Sequence, residues 1–268
     1  MECLTPKGIS NPKTGKSMAV RCGKCPSCQK FTASQWNIRL IEQEKCTKNN
    51  YFITLTLTDD NITWGFDSPT LSKRDIQLFL KLLRKRISPQ KVKYFAVGEY
   101  GETTKRPHYH LLIFDTGIDS PKVLQNVIYT SWIDKNDESK GFCHVGDVTP
   151  DSIRYVSGYM EKDQNGEILS EKVQREFRLM SKGIGENYLI NSKNYHLSNE
   201  KFTYKIGKVD APLPRYYRDR IFSEQQREAY AARVVESIPK RSPTEEKNHR
   251  EALANRISSI KKLKTKRK

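Results

Sequence analysis

Between Tyr51 and Met160 the spacing of the apolar residues switches repeatedly between a period of two and a helical period, and nothing else in the chain restricts its fold as much. YFITLTLTD at 51–59 sets Ile53, Leu55 and Leu57 against Thr54, Thr56 and Thr58, the pattern of a strand with one buried face. Ser72, with Asp75 three residues on, resembles a capping box, and Ile76, Phe79, Leu80, Leu83 and Ile87 then recur at helical spacing until Pro89. VKYFAVGEY at 92–100 and RPHYHLLIF at 106–114 read as two more strands joined by the turn GETTKRP. Ser120 and Pro121 open a second helix, with Leu124, Val127, Ile128 and Trp132 on its apolar face. GFCHVGDV at 141–148 is a fourth strand, and Thr149 with Pro150 opens a helix that should run to about Lys162.

The order β-α-β-β-α-β followed by a helix predicts an α+β fold with a ferredoxin-like antiparallel sheet. In that topology the strand at 51–58 lies beside the strand at 106–114, and helices packed on one face leave the other for a site. Before this region, residues 1–30 are rich in Pro, Gly, Lys and Cys, and a helix follows from about Ala33 to Glu44 with Trp36, Leu40 and Ile41 on its buried side. The chain thus divides into a Cys-rich segment and helix (1–48), a core (49–165), an extension (166–238) and a basic tail (239–268). In the extension, GIGENY at 183–188 marks a backbone turn of the kind that can approach a phosphate.

The 268 residues carry 48 Lys and Arg against 31 Asp and Glu, a net charge of +17, so a polyanion is the expected partner. With no apolar stretch of about 18 residues and no apolar middle to the N-terminus, neither membrane insertion nor export is expected. Reduced thiols are then expected, and CGKCPSC at 22–28 reads as a metal knuckle rather than a set of disulfides. Structural zinc needs four ligands: Cys22, Cys25 and Cys28 supply three, and Cys3 or Cys46 the fourth, with Cys3 preferred. Free thiols are the alternative.

His108 and His110 are two apart at the start of a strand, so both imidazoles project from one face, about 7 Å apart at ~3.3 Å per residue. Glu99, at the end of the preceding strand, is the obvious third ligand, and a carboxylate with two imidazoles favours Mg²⁺ or Mn²⁺. On the last helix Tyr155, Tyr159 and Lys162 share one face, roughly 120° from the stripe of Ile153, Val156 and Met160 at ~100° per residue, which suggests more than packing. A tyrosine hydroxyl is a poor nucleophile unless its phenolate is stabilised, and Lys162 is placed to help. Lys105, Arg106 and Arg154, flanking these motifs, are the expected DNA contacts.

FITLTLTD, RPHYHLLIF and YVSGYMEK resemble, in order and spacing, the three motifs of the HUH endonucleases that initiate rolling-circle replication, specifically the two-tyrosine initiators of the microviruses. CGKCPSC, EYGETTKRPHYH, GIGENY and PRYYRDRIF are similar to the gokushovirus branch, and the resemblance covers most of residues 1–222. It implies a metal-dependent nick in single-stranded or nicked phage origin DNA, a covalent 5′-phosphotyrosine, a 3′-hydroxyl that primes host polymerase with host helicase, and later rejoining, all in the cytoplasm of the infected bacterium. Gly158 and Glu161 depart from the helix formers more usual in the tyrosine motif. A relaxase or transposase of the same superfamily is the rival within enzymes. A non-catalytic single-stranded nucleic-acid-binding module is the rival outside them, but it would want exposed aromatics where the central strands carry histidines and threonines.

Overall fold

The computed structural model describes residues 2–10, 12, 15, 17–160, 173–239 and 242–265, with side chains as far as 259. In chain order the elements are β1 (Lys7–Ser10), β2 (Ser17–Val20), α1 (Pro26–Lys45), β3 (Tyr51–Thr56), β4 (Thr63–Trp64), β5 (Pro69–Thr70), α2 (Lys73–Arg86), β6 (Lys93–Tyr100), β7 (Pro107–Phe114), α3 (Pro121–Ser131), β8 (Cys143–Asp147), α4 (Pro150–Gly158), β9 (Phe177–Met180), α5 (Asn187–Ser198), β10 (Thr203–Ile206), β11 (Val209–Pro212), α6 (Arg215–Ile221), α7 (Glu224–Ser237) and α8 (Pro243–Thr265). They fall into two compact units, Thr32–Tyr195 and a second made of Met1–Phe31 with His196–Lys268.

The Thr32–Tyr195 unit is α+β. Its sheet runs β8-β3-β7-β6-β9, with every neighbouring pair antiparallel. The Thr-rich strand β3 does lie beside β7, with Thr54 opposite His110 and Thr56 opposite His108. The alternation in β3 is realised as written: Ile53 and Leu55 are fully buried, and the threonines between them half-buried. Strand β9 was not anticipated, because four residues, FRLM, are too short to show a period.

One sheet face carries Ile53, Leu55, Tyr109, Leu111 and Ile113, against Ile76, Phe79, Leu80 and Leu83 of α2 and Leu124 and Ile128 of α3. Each such side chain taken from water contributes about 1.5–3 kcal/mol. Trp132 closes this core edge-on to Phe79 and Tyr109, with ring centroids 6.0 and 5.7 Å away, and its Nε1 donates to the Thr56 carbonyl at 2.7 Å. Ser72 caps α2 by accepting from the Asp75 amide at 3.2 Å. The capping box is not reciprocal, since the Asp75 carboxylate turns instead to Lys140.

The opposite face is not left bare, contrary to expectation. Phe95, Val97, Leu112 and Phe114 form a second core with Ala33 and Leu40 of α1 and Ile153 and Val156 of α4. The cause lies in β7, which alternates only as far as His110; Leu111–Phe114 is a continuous apolar run, buried on both faces. Only the other end of this face, where β7 carries its histidines, is polar. The GIGENY turn belongs to the apolar end. The Gly185 amide donates to Gln43 Oε1 at 3.0 Å, the Ile184 carbonyl accepts from Arg39, and the Gly183 carbonyl accepts from Lys93, so these groups hold the turn to α1 and β6 rather than offering it to a phosphate.

Helix α1 starts earlier than expected, at Pro26, and α4 ends earlier. Thr149 and Ser152 form a reciprocal capping box at the start of α4, but the helix stops at Gly158, leaving Tyr159 as its C-cap; Lys162 lies outside the described residues. In the other unit, hairpins β1-β2 and β10-β11 accompany α6, α7 and α8, and Phe202 stacks between Phe222 and Tyr230 at 3.8 and 3.9 Å. Most of the basic tail is the helix α8.

Candidate active site

Antiparallel register gathers the polar end of the sheet. Glu99 of β6 is directly opposite His108 of β7, and His110, two residues on, is opposite Val97 and Thr54. Opposed residues point to the same face, so Glu99, both histidines, Thr54 and Thr56 share one surface. His110 Nε2 lies 2.9 Å from Glu99 Oε1, and its Nδ1 lies 3.1 Å from Thr54 Oγ1. His108 Nδ1 lies 2.8 Å from the Arg106 carbonyl. A carbonyl only accepts, so His108 Nδ1 carries the hydrogen and its Nε2 keeps a lone pair. Gly101 permits this ring position, since a Cβ there would come within 3.1 Å of His108 Cε1.

Helix α4 brings the tyrosines to the same place. Tyr155 Oη donates to Glu99 Oε1 at 3.0 Å and lies 3.5 Å from His110 Nε2, while Tyr159 Oη donates to Tyr155 Oη at 2.6 Å. The rings are held edge to face: His110 with Tyr155 at 5.3 Å and Tyr155 with Tyr159 at 5.2 Å, while Phe52 stacks on His110 at 5.6 Å. The two tyrosines are not equivalent. Tyr155 is 47% exposed, whereas Tyr159 is 8% exposed and packs into the second core with Ile153, Val156 and Met160. The expectation that both stand clear of the packing stripe therefore holds for Tyr155 alone, because α4 ends before Tyr159 and its ring turns inward. Burial, followed by the neighbouring Glu99 carboxylate, pushes the Tyr155 phenol above its ordinary value. Burial and the hydrogen bond with Glu99 push that of Tyr159 much further up. Both are neutral donors in this arrangement.

Residues 50–164 match the family model of the replication-associated protein ORF2. The replication-associated protein ORF2 of Spiroplasma virus 4 is 28% identical over 90% of this chain and 86% of its own length. The replication-associated protein VP4 of Bdellovibrio phage phiMH2K is 30% identical over 76% of this chain and 67% of its own length. The chain belongs to this family of phage replication-associated proteins. A further member, ORF4 of Chlamydia phage 1, is 24% identical over 76% of this chain and 53% of its own. No solved structure matches the chain significantly.

The residues matched to the family run from β3 through α4, so they include Glu99, both histidines and both tyrosines, but not the N-terminal cysteines. Of the basic residues expected at DNA, Arg106 donates to the Leu57 carbonyl at 2.8 Å and pairs with Asp59. Arg154 is exposed and pairs with Asp151 at 3.3 Å, and Lys105 occupies a left-handed position (φ 54°) in the turn before β7. Two residues near the site escaped the sequence reading. His144 of β8 is opposite Thr54, on the histidine-bearing face. Arg178 of β9, opposite Val97, donates to the Tyr159 carbonyl at 3.3 Å, and burial lowers its pKa from the ordinary arginine value. His144 was legible, since it falls on the same alternation as its neighbours; Arg178 was not, because its strand carried no period.

At the other end of the sequence, Cys3, Cys22, Cys25 and Cys28 have their sulfurs all within 4.8 Å of one another. Cys46 is not among them and bonds the Gln43 carbonyl instead.

Proposed function

We propose that this chain is a phage replication initiator that nicks origin DNA through a tyrosine nucleophile, with the ferredoxin-like HUH fold for which its four-strand order β8-β3-β7-β6 speaks. The observation that carries the reading is the meeting of Tyr155 with Glu99 and His110, contributed by three separate elements, at 3.0 and 3.5 Å. In the reaction the tyrosine oxygen bonds to phosphorus, the bond from phosphorus to the 3′ oxygen breaks, and the released 3′-hydroxyl takes up a proton.

The donor set fits a hard or borderline divalent ion. His108 and His110 both have Nδ1 engaged by a protein oxygen, which turns Nε2 outward as ligating imidazoles require, and Glu99 adds the carboxylate. Glu99, His108 and His110 would hold Mg²⁺ or Mn²⁺, which supplies charge neutralisation at the scissile phosphate. The chain's own residues do the rest. Tyr155, the exposed member of the pair, is the first nucleophile. Its proton already points at Glu99 Oε1, and Tyr159 donates to the oxygen on which negative charge develops. Tyr159, buried behind it, is the second nucleophile and needs a shift of the chain after α4 to reach the phosphate; Lys162 follows it in sequence and would neutralise charge there. The exposed Lys105 and Arg154, with the half-buried Arg106 between the motifs, would hold the single strand, and host helicase and polymerase would extend the 3′ end in the infected cytoplasm. Among the described residues no helix is long and apolar enough to cross a membrane.

The test incubates labelled single-stranded origin DNA with protein and Mn²⁺, denatures in SDS and maps the adduct by mass spectrometry. The adduct is expected on Tyr155 in the native chain and on Tyr159 in Tyr155→Phe, with none in the double Phe variant. An adduct on any other residue, or cleavage by the double variant, refutes the mechanism.

A further inference from the structure

We infer that Cys3, Cys22, Cys25 and Cys28 form a tetrathiolate site for one structural zinc ion, independent of the nuclease centre. Among the described residues this is the only group of three or more His, Cys, Asp or Glu side chains whose ligand atoms lie within 4.8 Å of one another. The spacing is the spacing of a tetrahedron. With Zn–S bonds of about 2.3 Å, the edges between sulfurs are about 3.8 Å. Cys3 and Cys25 are 3.9 Å apart, and so are Cys22 and Cys28. A disulfide requires about 2.05 Å, and none of the six cysteines is in one.

The surroundings are arranged for thiolates. Amides of Cys22, Lys24, Cys25 and Leu4 point at cluster sulfurs at 3.3, 3.4, 3.3 and 3.5 Å, and the Thr5 hydroxyl donates to Cys22 at 3.2 Å. Such donors spread the negative charge of the ligands and fix their orientation. Gly23, with φ of 75°, supplies the left-handed step that folds the Cys22 loop back, and Cys28 is set on the first turns of α1. The segment also lacks another source of order. All of hairpin β1-β2 except Val20 is exposed, with Ile9 and Met18 in water, so the chain that leaves Cys3 and returns at Cys22 has almost no apolar core to close it. A metal-bound cluster in place of a core is the usual solution for so small an element.

The full chain, purified in reducing buffer, is assayed for metals by plasma mass spectrometry and titrated with a thiol-blocking mercurial. About one zinc per chain, released by the mercurial, is expected. Cys25→Ser and, separately, Cys3→Ser should each lower zinc content at least about fivefold, while Cys46→Ser and the double variant His108→Ala, His110→Ala should leave it unchanged. Should the Ser variants be insoluble, Co²⁺ exchanged into the native protein should show the absorption of a tetrahedral tetrathiolate. Less than about a tenth of a zinc per chain, iron in its place, zinc lost with Cys46 or with the histidines, or cobalt spectra of an octahedral site would each overturn the inference.

Discussion

Replacing Lys140 should unlock the loop that leads into β8, and the structure sets the size of the effect. Its Nζ lies 2.5 Å from Asp75 Oδ1, with the two side chains only 13% and 11% exposed, and 5.3 Å from the Trp132 ring. Its backbone is fixed as well, since the carbonyl accepts from the Thr58 amide and the amide donates to the Trp132 carbonyl. Lys140→Met keeps the aliphatic stem and removes only the charge, stranding the Asp75 carboxylate in the first turn of α2 next to the core. Stranding one partner of a buried pair costs about 3–5 kcal/mol, against a total domain stability of about 5–15 kcal/mol. With a urea slope near ~2 kcal/mol per molar, a loss of about 4 kcal/mol moves the midpoint down by about 2 M. The three tryptophans, Trp36, Trp64 and Trp132, all lie in the Thr32–Tyr195 unit, so their fluorescence follows that unit alone. Asp75→Asn in the Lys140→Met background should recover part of the loss, giving a coupling of about 2–3 kcal/mol that persists in about 1 M salt because the pair is shielded from solvent. A Lys140→Met midpoint within about 0.5 M of the native value, or additive single effects, would refute the assignment of a buried, energetically coupled pair.

Removing both His108 and His110 as alanines should abolish nicking while leaving DNA affinity within about threefold, because phosphate contacts elsewhere supply most of the binding; undiminished cleavage in metal-free buffer would show that the histidines hold no essential ion. Gly98→Ala should destabilise the nuclease unit by about 1–3 kcal/mol, since the new Cβ would sit 2.8 Å from Phe177 Cε1 and 3.2 Å from Leu71 Cδ2, with Phe177→Leu as a compensating change; an unchanged thermal midpoint for Gly98→Ala would mean that the Phe177 ring moves aside without cost.

What the sequence determined by itself is whatever depends on local period and on capping. The Thr and Ile alternation at 51–56 could be satisfied only by a half-buried strand, and Ser72, Ser120 and Thr149 each cap the helix that follows them. A strand alternates faces whatever surrounds it, so the two histidines of β7 had to share a surface, and the β-α-β-β-α-β order was enough to place that strand beside β3. The tertiary structure decided what depends on partners distant in the chain. Which cysteine joins the 22–28 knuckle was open between Cys3 and Cys46 until the fold returned the chain from β2 to Cys3, because both have the same chemistry and only distance separates them. The inequality of Tyr155 and Tyr159 was likewise invisible. Helical spacing puts them on one face, but the end of α4 at Gly158 turns Tyr159 into the core and leaves Tyr155 at the carboxylate. Arg178 reaches Tyr159 only because β9 adds itself to the edge of β6, a pairing fixed by the sheet's open hydrogen bonds and not by any pattern in its four residues.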